Sequence, residues 1–171
     1  MLISLMGYMG SGKSHIAKII SKKLDYPLLD LDRLIELDQN MTIPEIFEKK
    51  GEIYFRKEER KLLEEILNCE KNAILSLGGG TPAYFNNIDL LNEKSITIYL
   101  RTSVGALAKR LSENRKNRPL IAHISDDDLP EYIAKHLFER NVFYGKAHHI
   151  IDTDHRSDDE LLEEFKNQIE I

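Results

Sequence analysis

The amino-acid sequence predicts an α/β domain in which helices cover both faces of a five-stranded parallel sheet, giving three layers. Five short apolar runs alternate with longer segments that have helical spacing of apolar residues. The runs are LISLM (2–6), PLLDL (27–31), AILSL (73–77), ITIYL (96–100) and HHIID (148–152). Near-continuous apolar strands are typical of parallel sheets, because helices bury both faces. Ligands bind beyond the carboxyl ends of such strands, so we expect functional residues directly after each strand.

The first strand leads into a glycine-rich turn, GYMGSGKS (7–14), and then into the predicted helix HIAKIISKKL (15–24). Strand, turn and helix form the context in which G-x-x-x-x-G-K-[ST] binds phosphate. Glycines let backbone N–H groups converge on an anion, and the helix N-terminus adds its positive dipole end. Lys13 would add a full charge, and Ser14 would offer a hydroxyl to Mg²⁺. The alternative is a glycine turn that only joins a strand to a helix.

Size and composition limit the classes of protein to which this chain can belong. Its 171 residues, 42% hydrophobic and 31% charged, suit one domain, and no apolar run approaches the length of a membrane helix. The chain enters its first strand at once, and its single cysteine, Cys69, has no intrachain partner. We therefore expect a cytoplasmic protein without a cleavable signal. We also expect it to act as a monomer. The net charge of −5 disfavours nucleic acid as a partner, so positive charge must be concentrated locally.

Two carboxylates, Asp30 and Asp32, stand at the end of the second predicted strand. Alternate residues of an extended chain point to the same side, so both would face one cleft. One could bind Mg²⁺ through water, and the other could accept a proton from a substrate hydroxyl or orient it. The alternative for Asp32 is an N-cap of a helix that starts at Arg33.

Residues 33–68 hold two or three predicted helices, which is too much for one crossover. In the helical run GEIYFRKEERKLLEEILNC (51–69), Arg56 and Glu59 are three residues apart and share a face. Glu59 could hold Arg56 in a fixed pose, leaving its guanidinium free to grip a carboxylate. An ordinary surface ion pair is the alternative.

Three glycines, Gly78, Gly79 and Gly80, follow the third predicted strand. Such a run is costly in conformational entropy unless the backbone approaches something closely, and its N–H groups could contact a small polar substrate. A wide strand-to-helix turn is the alternative. Ser76 stands near the position where many P-loop proteins carry a second Mg²⁺-binding acid, so Asp30 would have to serve the metal.

The remaining cations lie in the second half of the chain. Residues 112–128 are polar, basic and broken by proline, which predicts a mobile loop. There Arg118 could swing over a transferred phosphoryl group, or it could be a solubility charge. Arg110 ends the preceding helical pattern, where cations are favoured. Arg140 lies in a later helical stretch and could instead pair with Glu139.

Together these motifs resemble those of bacterial shikimate kinases along nearly the whole chain. The order of LDxD, the IFxxxGExxFRxxE run and GGG is highly specific among P-loop kinases. The motifs are GYMGSGKS (7–14), LLDLD (28–32), TIPEIFEKKGEIYFRKEE (42–59), LSLGGGTP (75–82), NRPLI (117–121), ERNVFY (139–144) and IDT (151–153).

The resemblance implies a single P-loop kinase domain over residues 1–171, related to the nucleoside monophosphate kinases. A substrate-binding insert would span about 33–60 and a mobile lid about 112–126. The implied reaction is ATP-dependent phosphorylation of the 3-hydroxyl of shikimate to shikimate 3-phosphate, in aromatic amino acid biosynthesis, with Mg²⁺ as cofactor. The alternatives are a kinase for another small hydroxy acid, such as gluconate, and a non-catalytic P-loop nucleotide-binding module.

The resemblance also implies roles for individual residues. The catalytic residues would be Asp32, as the base, with Lys13 and Arg118. The ATP site would comprise Gly10, Ser11, Gly12, Lys13, Ser14, His15, Arg110, Arg118 and Arg156. The shikimate site would comprise Asp32, Arg56, Gly78, Gly79, Gly80 and Arg140, and the metal would be held by Ser14 and, through water, by Asp30. Two departures are His15, where the family often has Thr, and DTDHRSDDE (152–160), which lacks a proline often found near the adenine pocket.

Overall fold

The computed structural model describes residues 1–115, 118 and 120–169, and its centre is a five-stranded, all-parallel sheet. The strands are β1 (Leu2–Met6), β2 (Leu28–Asp30), β3 (Ala73–Ser76), β4 (Ile96–Arg101) and β5 (His149–Asp152). Their order across the sheet is β2-β3-β1-β4-β5. All five predicted strands are therefore confirmed, with boundaries that differ by at most one residue.

Eight α-helices lie between and after these strands within the described residues. They are α1 (Lys13–Leu24), α2 (Leu31–Gln39), α3 (Ile43–Lys50), α4 (Glu52–Cys69), α5 (Asn87–Lys94), α6 (Val104–Glu113), α7 (Leu129–Tyr144) and α8 (Asp158–Ile169). A short 3₁₀ turn spans Thr81–Ala83. None of the described helices is long and apolar enough to cross a membrane.

The central strand β1 shows why the fold has three layers. Its five residues are all buried, and they alternate between the two sides of the sheet. Leu2 and Met6 join a core shared with α4, α5 and α7. Ile3 and Leu5 join a second core, shared with α1 and α8. The sheet thus has a hydrophobic core on each face, as the apolar strands predicted.

The strand registers bring the functional segments to one edge. Asp30, at the end of β2, pairs with Ser76 of β3, and Ser76 pairs with Leu5 of β1. The residues that follow these strands therefore begin at the same level. Because β1 lies between β3 and β4, the turn after β1 lies beside the turn after β3.

Three helices, α2 to α4, separate β2 from β3, in agreement with the two or three predicted there. A reciprocal capping box between Thr42 and Glu45 starts α3. Gly51, at a φ of +86°, separates α3 from α4. Along α4, Leu63, Ile66 and Leu67 are buried.

The predicted lid lies between α6 and α7. Residues 116, 117 and 119 of this segment lie outside the described part of the chain. Near its start, Arg115 donates to the Ile124 carbonyl at 2.6 Å and to Asp126 at 2.7 Å. Arg118 N–H donates to the Arg115 carbonyl at 3.0 Å. The mobility of the lid stays a prediction.

Candidate active site

The turn after β1, residues 7–14, has the backbone of a phosphate loop. Gly10 and Gly12 have φ angles of +82° and +89°, in the left-handed region that favours glycine. Helix α1 begins directly afterwards, at Lys13, and no side chain caps its N-terminus at Gly12. The first N–H groups of α1 therefore lack a side-chain acceptor and, together with the helix dipole, favour an anion at this position.

The Lys13 side chain reaches back over the same loop. Its Nζ donates to the Gly7 carbonyl at 2.7 Å and to the Tyr8 carbonyl at 3.1 Å. Burial lowers the pKa of Lys13 to about 8; nearby Arg118 and Arg140 act in the same direction, and the Asp32 carboxylate opposes them. A bound phosphate would relieve this penalty, because it supplies a negative charge where the ammonium is desolvated.

A cleft of about 500 Å³ opens above the phosphate loop, at the carboxyl ends of the strands. It brings together most of the residues predicted for the ATP site and the two aspartates. The lining residues include Gly10, Gly12, Lys13, Ser14, His15, Asp30, Asp32, Ser76, Gly78, Gly79, Arg110 and Arg118. Residues that follow β1, β2 and β3 thus meet in one cleft, and their functional roles stay predictions.

The two aspartates face the cleft for a reason that differs from the prediction. Asp30 ends β2 and caps α2, and its Oδ1 accepts the Arg33 N–H at 3.1 Å. Helix α2 begins at Leu31, so Asp32 lies in its first turn rather than in an extended segment. The strand-alternation argument for Asp32 was wrong, and so was the alternative that Asp32 caps a helix starting at Arg33. The helical turn places its carboxylate against Gly78 instead.

The surroundings of Asp32 raise the pKa of its carboxyl group. Burial is the largest cause that raises its pKa to about 6, and the nearby charges of Glu59 and Asp30 add to it. Lys13 and Arg56 oppose the rise. At neutral pH the group is ionised but close to its pKa, which suits a general base.

The cleft also has the oxygen ligands that Mg²⁺ prefers. Ser14 offers a hydroxyl, and Asp30 and Asp32 offer carboxylates, all lining the same space. Such hard oxygen groups suit an ion that keeps several waters and binds substrate phosphates. Among the described residues no group of three or more His, Cys, Asp or Glu side chains forms a metal cage. The predicted site does not need one, since it uses one hydroxyl and one carboxylate through water.

The three glycines after β3 form a turn that site side chains approach closely. A Cβ atom on Gly78 would lie 2.7 Å from Asp32 Oδ1, and one on Gly79 would lie 3.2 Å from Arg140 Nη1. A Cβ atom on Gly80 would lie 2.6 Å from Arg56 Nη2. The glycine turn (Gly78–Gly80) thus brings the three charged groups predicted for the acceptor to one place. The glycines therefore allow these side chains to approach the backbone, and a contact between their N–H groups and a substrate stays a prediction.

Arg56 and Glu59 form a buried pair. Arg56 Nη1 donates to Glu59 Oε2 at 2.9 Å, and Glu59 is fully buried. The Thr81 hydroxyl donates to the other Glu59 oxygen at 2.6 Å. The Arg56 guanidinium also lies 4.0 Å from the centre of the Tyr84 ring. The alternative of a surface ion pair is therefore wrong, and the predicted fixed pose is present.

Sequence reasoning missed Thr81, which follows the glycine turn directly, and Tyr84, which comes soon after it. Their only signal was proximity to that turn. Tyr84 is tied to the insert, because its hydroxyl donates to Glu52 at 2.9 Å. Contacts of this kind join segments more than 20 residues apart, and no local pattern indicates them.

Arg140 lies on α7 beside the glycine turn and the phosphate loop. Its guanidinium is 5.7 Å from the centre of the Tyr8 ring. Within the described chain no ion pair joins Arg140 to Glu139, the alternative partner. Arg140 therefore points toward the site and not along the surface of its helix.

Three further predicted ATP contacts line the cleft or its loop. Arg110 donates to the Gly10 carbonyl at 3.1 Å, so it supports the phosphate loop. His15 lines the cleft, and its Nε2 is 2.8 Å from an Asp158 oxygen at the start of α8. Ser11 is buried, and its hydroxyl has no partner within the described structure.

Arg156 lies apart from these groups. It forms an ion pair with Glu164 of α8 and lines a surface groove with Glu160 and Glu163. The structure does not place it among the residues that line the cleft. Its predicted contact with ATP stays a prediction.

Comparison with known proteins gives a consistent result. The family model described as shikimate kinase matches residues 9–170. A shikimate kinase of Flavobacterium johnsoniae is 48% identical over 164 residues, which cover 95% of this chain and 95% of that protein. The shikimate kinase structure from Bacteroides thetaiotaomicron has a TM-score of 0.93 and 32% identity, and it covers 99% of this chain and 98% of its own. The structure of an Acinetobacter baumannii shikimate kinase in complex with shikimate has a TM-score of 0.87 and 31% identity, with coverage of 99% and 93%.

Proposed function

Because this chain belongs to the shikimate kinase family, we propose that it transfers the γ-phosphoryl group of ATP to the 3-hydroxyl of shikimate. The product is shikimate 3-phosphate, an intermediate of aromatic amino acid biosynthesis. One observation carries the proposal: Asp32, Arg56 and Arg140 converge on the glycine turn, beside the phosphate loop. These groups suit a hydroxy acid, because two guanidinium groups can bind its carboxylate and a carboxylate base can accept the proton of its hydroxyl.

On the donor side, the N–H groups of the phosphate loop and the start of α1 bind the phosphates of ATP. Lys13 exchanges its contacts with the Gly7 and Tyr8 carbonyls for the β- and γ-phosphates. Arg118, which lines the cleft, adds positive charge as the phosphoryl group transfers. Arg110 keeps the loop in shape through the Gly10 carbonyl.

On the acceptor side, Arg56 and Arg140 clamp the carboxylate, and the amides of the glycine turn contact the ring hydroxyls. Arg56 is already oriented by Glu59 and Tyr84, so little rotamer freedom is lost on binding. Asp32 orients the reacting hydroxyl and accepts its proton as the bond to phosphorus forms. Positioning and charge stabilisation supply most of the catalysis, since phosphoryl transfer is loose and in line.

Ser14 and Asp30 would hold Mg²⁺, Ser14 directly and Asp30 through water. The ion would neutralise charge on the phosphates of ATP during transfer. The support is the common cleft that both side chains line, at the end of the loop that binds the phosphates. Chelation of the ion with EDTA is expected to abolish turnover, and added Mg²⁺ to restore it.

We extend the proposal to the organisation of the chain. Residues 1–171 form one kinase domain, with a substrate-binding insert at about 33–60 and a lid at about 112–126 that excludes water when it closes. The insert contains α2, α3 and the start of α4. The protein works as a monomer in the cytoplasm on ATP and shikimate, without nucleic acid or membrane partners, and its net charge of −5 agrees with the exclusion of nucleic acid.

An acceptor panel tests the proposal. ADP release would be followed in a coupled assay with ATP and Mg²⁺, adding shikimate, gluconate or no acceptor. Shikimate should raise the rate far above the background ATPase rate, whereas gluconate should not. Preference for gluconate would favour the other hydroxy-acid kinase. ATP binding with no acceptor-dependent release would favour a non-catalytic nucleotide-binding module.

A further inference from the structure

Tyr8 belongs to the phosphate loop, but its side chain points away from the part of the cleft proposed to bind ATP. Its backbone carbonyl accepts Lys13 Nζ at 3.1 Å and the Ser11 N–H at 3.1 Å, as part of the loop. Its ring, in contrast, is buried to 1% exposure and points toward α7. Phosphate binding by the loop accounts for the backbone contacts of Tyr8 but not for the position of its side chain.

The Tyr8 side chain contacts α7 one turn before Arg140. Its hydroxyl lies 2.9 Å from His136 Nδ1, and the two rings meet edge to face at 5.5 Å. His136 and Arg140 are four residues apart, so they lie on the same face of the helix. The Arg140 guanidinium is 5.7 Å from the centre of the Tyr8 ring, within the range of a cation–π contact.

These aromatic contacts provide support for Arg140 that charged groups do not. In the described residues no carboxylate forms an ion pair with Arg140. Burial and then the charge of Arg140 lower the pKa of His136, so the imidazole is neutral at neutral pH and does not repel the guanidinium. Arg140 differs in this respect from Arg56, which Glu59 holds directly.

We propose that Tyr8 is a positioning residue for the acceptor: with His136 it fixes Arg140 opposite the glycine turn, so a residue of the ATP loop supports binding of the shikimate carboxylate. An arginine without such support would lose more rotamer freedom when it bound the carboxylate. The inference rests on the proposed role of Arg140. It adds to that role a dependence of acceptor affinity on a side chain of the donor loop.

The test compares three tyrosine variants by steady-state kinetics. Tyr8→Phe removes the hydroxyl and keeps the ring, whereas Tyr8→Leu removes both. Tyr99→Phe is the matched control, because Tyr99 is also buried and its hydroxyl also reaches α7, at Asn141. We expect KM for shikimate to rise about 3- to 10-fold in Tyr8→Phe, the range of one neutral hydrogen bond, with more in Tyr8→Leu. KM for ATP should change less than about 2-fold in Tyr8→Phe and Tyr99→Phe, because both changes leave the backbone of the phosphate loop as it is.

A purely structural role for Tyr8 would lower stability without this split between the two KM values. A rise in KM for ATP equal to that for shikimate would therefore overturn the proposal. If Tyr8→Leu does not fold, Tyr8→Phe and His136→Leu test the same contact. His136→Asn, which keeps a polar atom near the position of Nδ1, should restore the lower KM relative to His136→Leu.

A double-mutant cycle with Arg140→Gln shows whether Tyr8 acts through Arg140. In that background Tyr8→Phe should no longer raise KM for shikimate. An undiminished effect would overturn the proposed route through Arg140. If Arg140→Gln itself left KM for shikimate unchanged, the carboxylate clamp would be wrong and this inference with it. A wild-type protein that phosphorylates another acceptor but not shikimate would instead overturn the proposed function.

Discussion

Gly80→Ala is a sharp test of the acceptor site, because it alters one contact without straining the backbone. Gly80 has φ −90° and ψ −17°, which alanine adopts freely. The added Cβ atom would lie 2.6 Å from Arg56 Nη2 and 3.1 Å from Arg56 Nη1. Ordinary contact begins at 3.4 Å, so the guanidinium would have to withdraw by 0.8 Å.

Arg56 is not free to make this movement without loss. Glu59 holds Nη1 at 2.9 Å, and Tyr84 packs against the guanidinium face. A withdrawal of this size takes the guanidinium out of line with the shikimate carboxylate that it is proposed to bind. A charge-assisted hydrogen bond of that kind is worth about 1.5–3 kcal/mol. Since about 1.4 kcal/mol corresponds to a factor of ten, we expect KM for shikimate to rise about 10- to 100-fold.

The assay measures kcat and both KM values, with thermal unfolding to show that the variant is folded. KM for ATP should stay near the wild-type value, because Gly80 does not line the nucleotide part of the cleft. Gly105→Ala is the control, since a Cβ atom there would meet no atom within 4 Å. A folded Gly80→Ala protein with wild-type KM for shikimate would refute the reasoning, as it would mean that Arg56 yields freely or does not bind the acceptor.

Three further predictions concern the charges of the site and the network beneath it. Asp32→Asn should lower kcat by about 10²- to 10⁴-fold while calorimetry still detects ATP binding, because it removes a general base; full turnover would contradict that role. The kcat/KM for shikimate should fall below about pH 6, where Asp32 takes up a proton. The affinity for ATP should fall above about pH 8, where Lys13 loses a proton. Values of both quantities that did not depend on pH would contradict both assignments. Thr81→Val should lower the free energy of unfolding in urea by about 1–3 kcal/mol, because it leaves a buried Glu59 oxygen without its donor; an unchanged unfolding midpoint would count against the network.

The sign of the Asp32 effect on stability follows from the same raised pKa. A buried carboxylate that ionises in the folded protein destabilises it, so this penalty grows as the pH rises from about 4 to about 6. Asp32→Asn should therefore be more stable than the wild type at pH 7. The difference should vanish at low pH, where Asp32 is protonated in both the folded and the unfolded state.

The fold could be predicted because its signal is local and repeated. Each strand is a short, mostly apolar run, fully buried in β1 and β3 and partly exposed in the edge strands β2 and β5. All five were found from the residues alone. Strand ends leave a weaker signal in the sequence, because side-chain contacts decide them. His148 was assigned to β5, but it precedes the strand, and its N–H donates to the Thr97 hydroxyl at 2.9 Å.

Most residues that line the cleft could be predicted from the sequence, but their geometry could not. In LDLD, Asp30 and Asp32 are both good N-caps, and the choice of Asp30 decides that Asp32 lies in a helical turn. The spacing of Arg56 and Glu59 indicated a pair, whereas its burial depends on Thr81 and Tyr84 from beyond β3. Tertiary contacts of this kind leave no periodic trace in the sequence.

The charges of Asp32 and Lys13 depend on one another, so a change in one shifts the pKa of the other. Asp32 raises the pKa of Lys13 that burial lowers, while Lys13 lowers the pKa of Asp32 that burial raises. Each group therefore stabilises the charged form of the other across the gap between acceptor and donor. Asp32→Asn removes a base and also a counter-charge of Lys13, so its alkaline loss of ATP affinity should begin at a lower pH than in the wild type. If Asp32 acted only as a base and did not affect the charge of Lys13, ATP affinity would fall at the same pH in Asp32→Asn as in the wild type. The pH at which ATP affinity falls therefore separates the role of Asp32 as a base from its role as a counter-charge.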